Sequence, residues 1–252
     1  MKIVFITGAT SGIGEACAWK FAEEGFSLLL NGRNTEKLNK IKQAIEEKYT
    51  VEVKPLVFDV RDTKKASDLI GSLPEKWKNI DILINNAGLV LGVDKEYEVD
   101  LEESAVVIDT DVKGLLTITR LVVPGMVQRN KGHIVNIGSI AGEAAYPGGS
   151  VYCAAKAAVR ALSDGLRIDL VDTPLRVTNI KPGMAETNFS ITRYRGDKTK
   201  AAAVYEGLTP LSAQDIADSV YYATSAPPHV QIAEILILPT NQATGSIYFR
   251  NK

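Results

Sequence analysis

Residues 2–14 read Lys2-Ile3-Val4-Phe5-Ile6-Thr7-Gly8-Ala9-Thr10-Ser11-Gly12-Ile13-Gly14. The short apolar run at the start has the pattern of a buried strand. Three glycines follow, and then Ala16, Trp19, Phe21 and Ala22 on an amphipathic segment. The order is strand, glycine-rich turn, helix. Glycine permits unusual backbone angles and close approach of a ligand. The start of a helix offers unpaired N–H groups and the positive end of its dipole, which suits a pyrophosphate. The spacing is Gly-x-x-x-Gly-x-Gly, not the commoner Gly-x-Gly-x-x-Gly. A glycine cluster alone reads as a turn. Its position between the first strand and the first helix points to a nucleotide.

The pattern repeats along the chain. Strands are expected at 2–7, 26–31, 51–58, 80–85, 133–137, 175–180 and 234–238, and helices at 12–24, 35–48, 63–72, 102–128, 151–171 and 213–225. Continuous apolar strands such as Ile82-Leu83-Ile84 suit a parallel sheet covered on both faces. The alternation predicts right-handed βαβ units and one α/β domain over residues 1–252, a doubly wound, seven-stranded parallel sheet. In such sheets ligands bind beyond the carboxyl ends of the strands. Thr7–Gly14, Asp59, Asn85–Gly88, Ser139 and Pro182-Gly183 all follow expected strands, so one crevice can collect them. The segment 102–128 is apolar nearly all round, which predicts a buried helix.

Composition narrows the class. The chain has 252 residues, 45% of them hydrophobic, and a net charge of -1, so no basic field advertises nucleic acid. Two cysteines, Cys17 and Cys153, give neither a disulfide framework nor metal-ligand spacing. No apolar run is long enough to span a bilayer or to act as a signal peptide. A reducing, cytoplasmic setting is expected, with no metal and no membrane partner.

Chemistry enters with Tyr152 and Lys156. Positions i and i+4 of a helix share a face, so a phenol and an ammonium can point into one cleft. A phenol titrates near ~10, and a nearby cation favours its ionised form. The hydroxyl of Ser139 could bind a carbonyl or alcohol oxygen. The three groups suit proton transfer to or from a substrate oxygen. Each alone has a plainer reading: a loop hydroxyl, a half-buried tyrosine, a solvated lysine.

Thr7–Gly14, Asn85-Asn86-Ala87-Gly88, Ser139, Tyr152 with Lys156, and Pro182-Gly183 occur in this order. Together they resemble the single-domain short-chain dehydrogenase/reductase family, with its Rossmann fold, over nearly the whole chain. Gly32-Arg33, Pro182-Gly183-Met184 with Glu186-Thr187-Asn188-Phe189-Ser190, Arg193-Tyr194-Arg195-Gly196-Asp197 and Pro239-Thr240-Asn241-Gln242 resemble the branch that oxidises 3-hydroxy acids, serine and allo-threonine with NADP. The resemblance implies Tyr152 as acid/base, Lys156 as its partner on the nicotinamide ribose, and Ser139 on the substrate oxygen. It implies a cofactor cradle of Gly8, Thr10, Ser11, Gly12, Ile13, Gly14, Arg33, Asn34, Asp59, Val60, Asn86, Ala87, Gly88, Pro182, Gly183 and Thr187. It also implies a homo-oligomer, with a tetramer favoured, paired through the helices at 102–128 and 151–171.

Several of these positions carry a second reading. No acid occupies positions 30–34, and Arg33 suits a 2′-phosphate, although a lone loop arginine is commonly just solvated. Asp59 suits the adenine amine or caps a helix. Asn86 holds adenosine or braces a turn, and Thr187 touches the carboxamide or closes a local turn. Arg193 or Arg195, in a loop read as a mobile flap, could grip a substrate carboxylate with two hydrogen bonds or be a solvated charge. Asp111 stands where the family pattern has Asn, a residue that can donate a hydrogen bond as a carboxylate cannot. It therefore takes the proton-relay position weakly. Two alternatives to the hydroxy acid reading stay open: a broad NADPH-dependent carbonyl reductase, and a dinucleotide-binding protein with impaired catalysis.

Overall fold

The computed structural model describes residues 1–250. Seven parallel strands, β1 (Ile3–Ile6), β2 (Ser27–Gly32), β3 (Val53–Val57), β4 (Ile82–Asn85), β5 (His133–Ile137), β6 (Arg176–Pro182) and β7 (Glu234–Ile237), lie in the order β3-β2-β1-β4-β5-β6-β7. The chain runs outward from β1 to β3, then returns to β4 beside β1. That reversal opens a crevice at the carboxyl ends of β1 and β4.

Ten helices are named in chain order: α1 (Gly12–Glu23), α2 (Thr35–Lys48), α3 (Thr63–Gly71), α4 (Glu75–Lys78), α5 (Leu101–Ile108), α6 (Leu115–Gln128), α7 (Ser150–Asp169), α8 (Phe189–Arg193), α9 (Lys198–Ala203) and α10 (Ala213–Ser225). Alternate strand residues feed two cores. Val4 and Ile6 pack with Leu28, Leu30 and Ile84 beneath residues of α1, α2 and α10. Ile3 and Phe5 pack with Leu29 and Leu83 beneath Ala66 and Ile70 of α3 and Ile118 and Val122 of α6. This period-two division is why β1 has no polar face. Full burial of a side chain such as Phe5 contributes about 1.5–3 kcal/mol relative to leaving it in water.

Short polar side chains fix the helix starts. Asn34 accepts the Lys37 N–H at 2.9 Å, and Asp62 accepts the Lys65 N–H at 2.9 Å. Ser212 and Asp215 form a reciprocal capping box at the start of α10.

The expected helix over 102–128 is corrected. It is two α-helices joined by a π-helical turn, Asp109–Gly114. The Thr110 hydroxyl donates to the Val106 carbonyl at 2.7 Å within this segment. A π turn takes an extra residue and resets the faces of the following helix. Here Thr110 and Asp111 turn inward and are buried. The sequence reading also passed over α4, α8 and α9. Among the described residues no helix is long and apolar enough to cross a membrane.

Candidate active site

A cleft of about 790 Å³ runs across the carboxyl ends of the strands. Its walls include Gly8, Thr10, Ser11, Gly12 and Ile13 on one side and Ser139, Tyr152, Lys156, Pro182, Gly183 and Thr187 on the other. Arg33, Asp59, Val60, Asn86, Ala87 and Gly88 also line it. Thus most of the residues expected at one site do meet.

The glycine turn fits a phosphate group. Gly8 and Gly12 have φ of +65° and +58°, the left-handed region that glycine favours. A Cβ on Gly14 would lie 2.5 Å from the Asn86 Nδ2, so the first turn of α1 can press against the strand ends. Ser11 makes no side-chain cap, which leaves the first N–H groups of α1 free to meet an anion. Thr7 and Asn86 hold the turn in place. The Thr7 hydroxyl accepts the N–H groups of Asn86 and Ala87, each at 3.0 Å. The Asn86 amide donates to the Thr7 carbonyl at 2.9 Å and the Gly8 carbonyl at 3.1 Å. Asn86 and Gly14 therefore brace the cradle in this structure. Asn34, committed to capping α2, is absent from the cleft wall.

At the far end of the cradle Arg33 is 68% exposed, with its guanidinium 3.8 Å from Asp59. Asp59 belongs mainly to Arg61, which donates to its two oxygens at 3.0 and 2.7 Å. Arg61 holds the Asp59 carboxyl below the usual carboxylate range, with Arg33 adding a smaller pull. The sequence reading did not single out Arg61; its place two residues beyond Asp59 was the available signal.

Ser139, Tyr152 and Lys156 converge as the spacing predicts. The Ser139 hydroxyl accepts the Ala141 N–H at 3.0 Å and donates to the Pro182 carbonyl at 3.5 Å. The Lys156 ammonium lies 5.6 Å from the centre of the Tyr152 ring and donates to the Ile137 carbonyl at 3.1 Å. Burial pushes the Tyr152 phenol above its ordinary range; Lys156 pulls it down and Asp111 pushes it up.

Asp111 is not on the cleft wall. It sits behind Gly88, 1% exposed, where one oxygen accepts the Leu89 N–H at 2.8 Å and the other lies 3.1 Å from the Lys156 ammonium. That second oxygen has no well-directed hydrogen bond, so its contact with Lys156 is an ion pair by distance. Burial raises the Asp111 carboxyl against the pull of Lys156 and the Leu89 N–H. For Lys156 burial opposes the charge, but the Asp111 carboxylate and Tyr152 outweigh it, and the ammonium is held above its usual range.

The two flap arginines separate. Arg193 lines the cleft, donates to the Tyr146 hydroxyl at 2.7 Å and stacks 5.3 Å from the Tyr146 ring. Its Nε is buried without a partner among the described residues. Burial raises the Tyr146 phenol to about 12, so it stays protonated. Arg195 turns away with φ of +51° and binds Glu103 and Asp94, both at 2.7 Å. It lies outside the cleft with its charge already matched, which removes it as the expected carboxylate clamp. Tyr146 was missed by the sequence reading, since nothing in its spacing links it to Arg193. Thr187 spends its hydroxyl as acceptor of the Phe189 N–H at 3.2 Å, the local-turn reading, while its carbons lie 3.4 Å from where a Gly12 Cβ would stand.

The profile described as short chain dehydrogenase matches residues 2–198. An NADP-dependent 3-hydroxy acid dehydrogenase of Schizosaccharomyces pombe is 40% identical over 252 residues, covering 100% of this chain and 97% of that protein. Sulfoacetaldehyde reductase 2 of Chromohalobacter salexigens is 43% identical over 242 residues, covering 96% of this chain and 95% of that one. The solved closed form of a serine dehydrogenase complexed with NADP+ superposes with a TM-score of 0.92 at 40% identity, covering 99% of this chain and 100% of that one.

Proposed function

The chain belongs to the short-chain dehydrogenase family, and we propose that it is an NADP-dependent oxidoreductase for small 3-hydroxy acids such as serine or allo-threonine. The cradle supports a dinucleotide: positive-φ glycines, a free helix start and an exposed Arg33 with no acid at positions 30–34. In this reading Gly8, Thr10, Ser11, Gly12 and Ile13 hold the pyrophosphate. Arg33 would hold the 2′-phosphate, Asp59 and Val60 the adenine, and Pro182, Gly183 and Thr187 the nicotinamide. Bound NADP supplies the acceptor or donor of the hydride.

The chain's own residues handle the proton and the substrate. Tyr152 Oη takes the proton from the substrate hydroxyl in oxidation and returns it in reduction. Ser139 Oγ holds the same oxygen, and Lys156 would hold the ribose of the bound cofactor. The observation that carries the substrate class is Arg193. It lines the same cleft as Tyr152, is fixed through one nitrogen by Tyr146, and keeps a buried Nε donor unmatched among the described residues. A planar fork with a free donor matches a carboxylate. A sulfonate offers the same charge, in keeping with the sulfoacetaldehyde reductase among the relatives.

The test is Arg193→Ala, assayed on serine, on sulfoacetaldehyde and on an uncharged alcohol or ketone. Loss of a charged hydrogen bond of about 2 kcal/mol lowers kcat/KM about thirtyfold on the anionic substrates. The uncharged substrate changes little. Equal loss on all three overturns the anion clamp and leaves the broad carbonyl reductase. We further assign a homotetramer in the cytoplasm; the tetramer is supported by exposed apolar side chains on α5, α6 and α7 and around β7.

A further inference from the structure

We propose that Asp111 sets the charge beside the acid/base group: its carboxylate neutralises the Lys156 ammonium, so Tyr152 exchanges its proton next to a net-neutral pair rather than a free cation. This rests on the reading of Tyr152 as the proton-transfer group.

The geometry leaves Asp111 little else to do. It and Lys156 are 1% and 6% exposed. A buried ion without a partner is costly, so two opposite ones 3.1 Å apart persist as a pair. One Asp111 oxygen is committed to the Leu89 N–H; the other faces only Lys156. The π-helical turn is what aims it there. Asp109, on the same turn, points outward and pairs with Lys113 at 2.7 Å, so it stays outside this cluster.

Tyr152 then responds to what surrounds it. From its own helix come Lys156 and the neutral Cys153 thiol, which burial pushes up. Ser139 follows β5, the protonated Tyr146 phenol precedes α7, and Arg193 comes from α8. The Phe189 ring packs 5.4 Å away and carries no charge. The cations are Lys156 and Arg193, and among the described residues the single anion in contact with either is Asp111. A cation alone favours the phenolate; a carboxylate just behind it turns the monopole into a dipole and weakens that pull. The phenolate needed to accept a proton from an alcohol therefore forms only at alkaline pH, and the acid limb of the oxidation profile lies correspondingly high.

The test is the pH profile of kcat/KM for alcohol oxidation in the unaltered protein and in Asp111→Asn, which keeps shape and removes charge. The acid limb is expected to move down by about one pH unit, giving about tenfold more activity at a fixed pH on that limb. Coincident limbs overturn the proposal. Because breaking a buried pair can unfold the protein, a second measurement uses the unaltered chain. Phenolate absorbance is titrated without substrate, with Tyr152→Phe as the reference. No Tyr152 phenolate is expected near neutrality, and its appearance there overturns the proposal. Tyr152→Phe also distinguishes the role of Tyr152 from that of Asp111. If it retains turnover, the acid/base reading falls and this inference with it. If it is inactive and the limbs coincide, only the role given to Asp111 falls.

Discussion

At the scale of single residues, the decisive contrast is between arginines that are already matched and arginines that are not. Arg61 and Arg195 each hold carboxylates at 2.7 Å and have little left to offer a ligand. Arg33 stands 3.8 Å from an Asp59 that Arg61 already occupies, so it can leave that carboxylate for a 2′-phosphate at small cost. Replacing Arg33 with Ala is expected to weaken NADP binding by about 2 kcal/mol, about thirtyfold in Kd. NAD lacks the 2′-phosphate, and its binding should hardly change. Calorimetric titration with both cofactors checks this, and equal loss for the two removes Arg33 from cofactor selection. The same logic explains what sequence could not separate. Arg193 and Arg195 are two positions apart, yet the acids that claim Arg195 lie 92 and 101 positions away, beyond any local pattern.

At the scale of elements, legibility followed burial. Strands covered on both faces are mostly apolar, so Ile3–Ile6 in β1, Leu28–Leu30 in β2, Ile82–Ile84 in β4 and Ile134-Val135 in β5 stood out as apolar runs, and the residues after them fell into one cleft. The π-helical turn was illegible because Asp109–Gly114 keeps helical composition, and the extra residue per turn has no hydrophobic signature. The sequence therefore pointed to Asp111 as a departure from pattern without giving its burial or its contact with Lys156. β5 carries a further consequence in His133. Thr178 donates its hydroxyl proton to the Ile232 carbonyl at 2.6 Å, so it accepts from His133 Nε2 at 2.8 Å, and Nδ1 is left buried without a partner among the described residues. Burial, aided by Arg176, lowers the His133 pKa to about 3. The unfolded chain titrates near ~6.5, so between these values it binds the proton that the folded protein refuses. Stability is complete above the unfolded value and falls on acidification through the window. This group alone accounts for about 1.4 kcal/mol lost between about pH 7.5 and about pH 5.5. Urea unfolding of the parent and of His133→Gln at both pH values tests it; parallel losses show that His133 is not the source.

At the scale of the whole molecule, the surface is apolar in two separate places. On the outer side of the α5–α6–α7 layer stand Leu101, Leu116, Val127 and Ile168. Around the β7 edge of the sheet, Tyr222 of α10, Leu236 of β7, and Ile247 and Phe249 of the segment beyond it are exposed, Phe249 by 68%. Isolated apolar side chains on a surface need no explanation, but two groups on different faces do. A self-complementary patch gives a twofold dimer, and two independent ones close into a tetramer of 222 symmetry. Each interface would cover about 800 Å² per chain at ordinary size. A charge at the centre of one patch should open that interface alone. Leu116→Glu addresses the helical layer and Leu236→Lys the sheet edge; neither residue touches the cleft. Sedimentation equilibrium is expected to give four chains for the parent, two for either variant and one for the double variant. A monomeric parent rules out the assembly, and single variants that remain tetrameric move the interfaces elsewhere. The helical interface also bears on chemistry, because α7 carries Tyr152 and Lys156 on its inner face. If packing against a second copy steadies that helix, Leu116→Glu lowers kcat as well as mass, whereas Leu236→Lys changes mass alone.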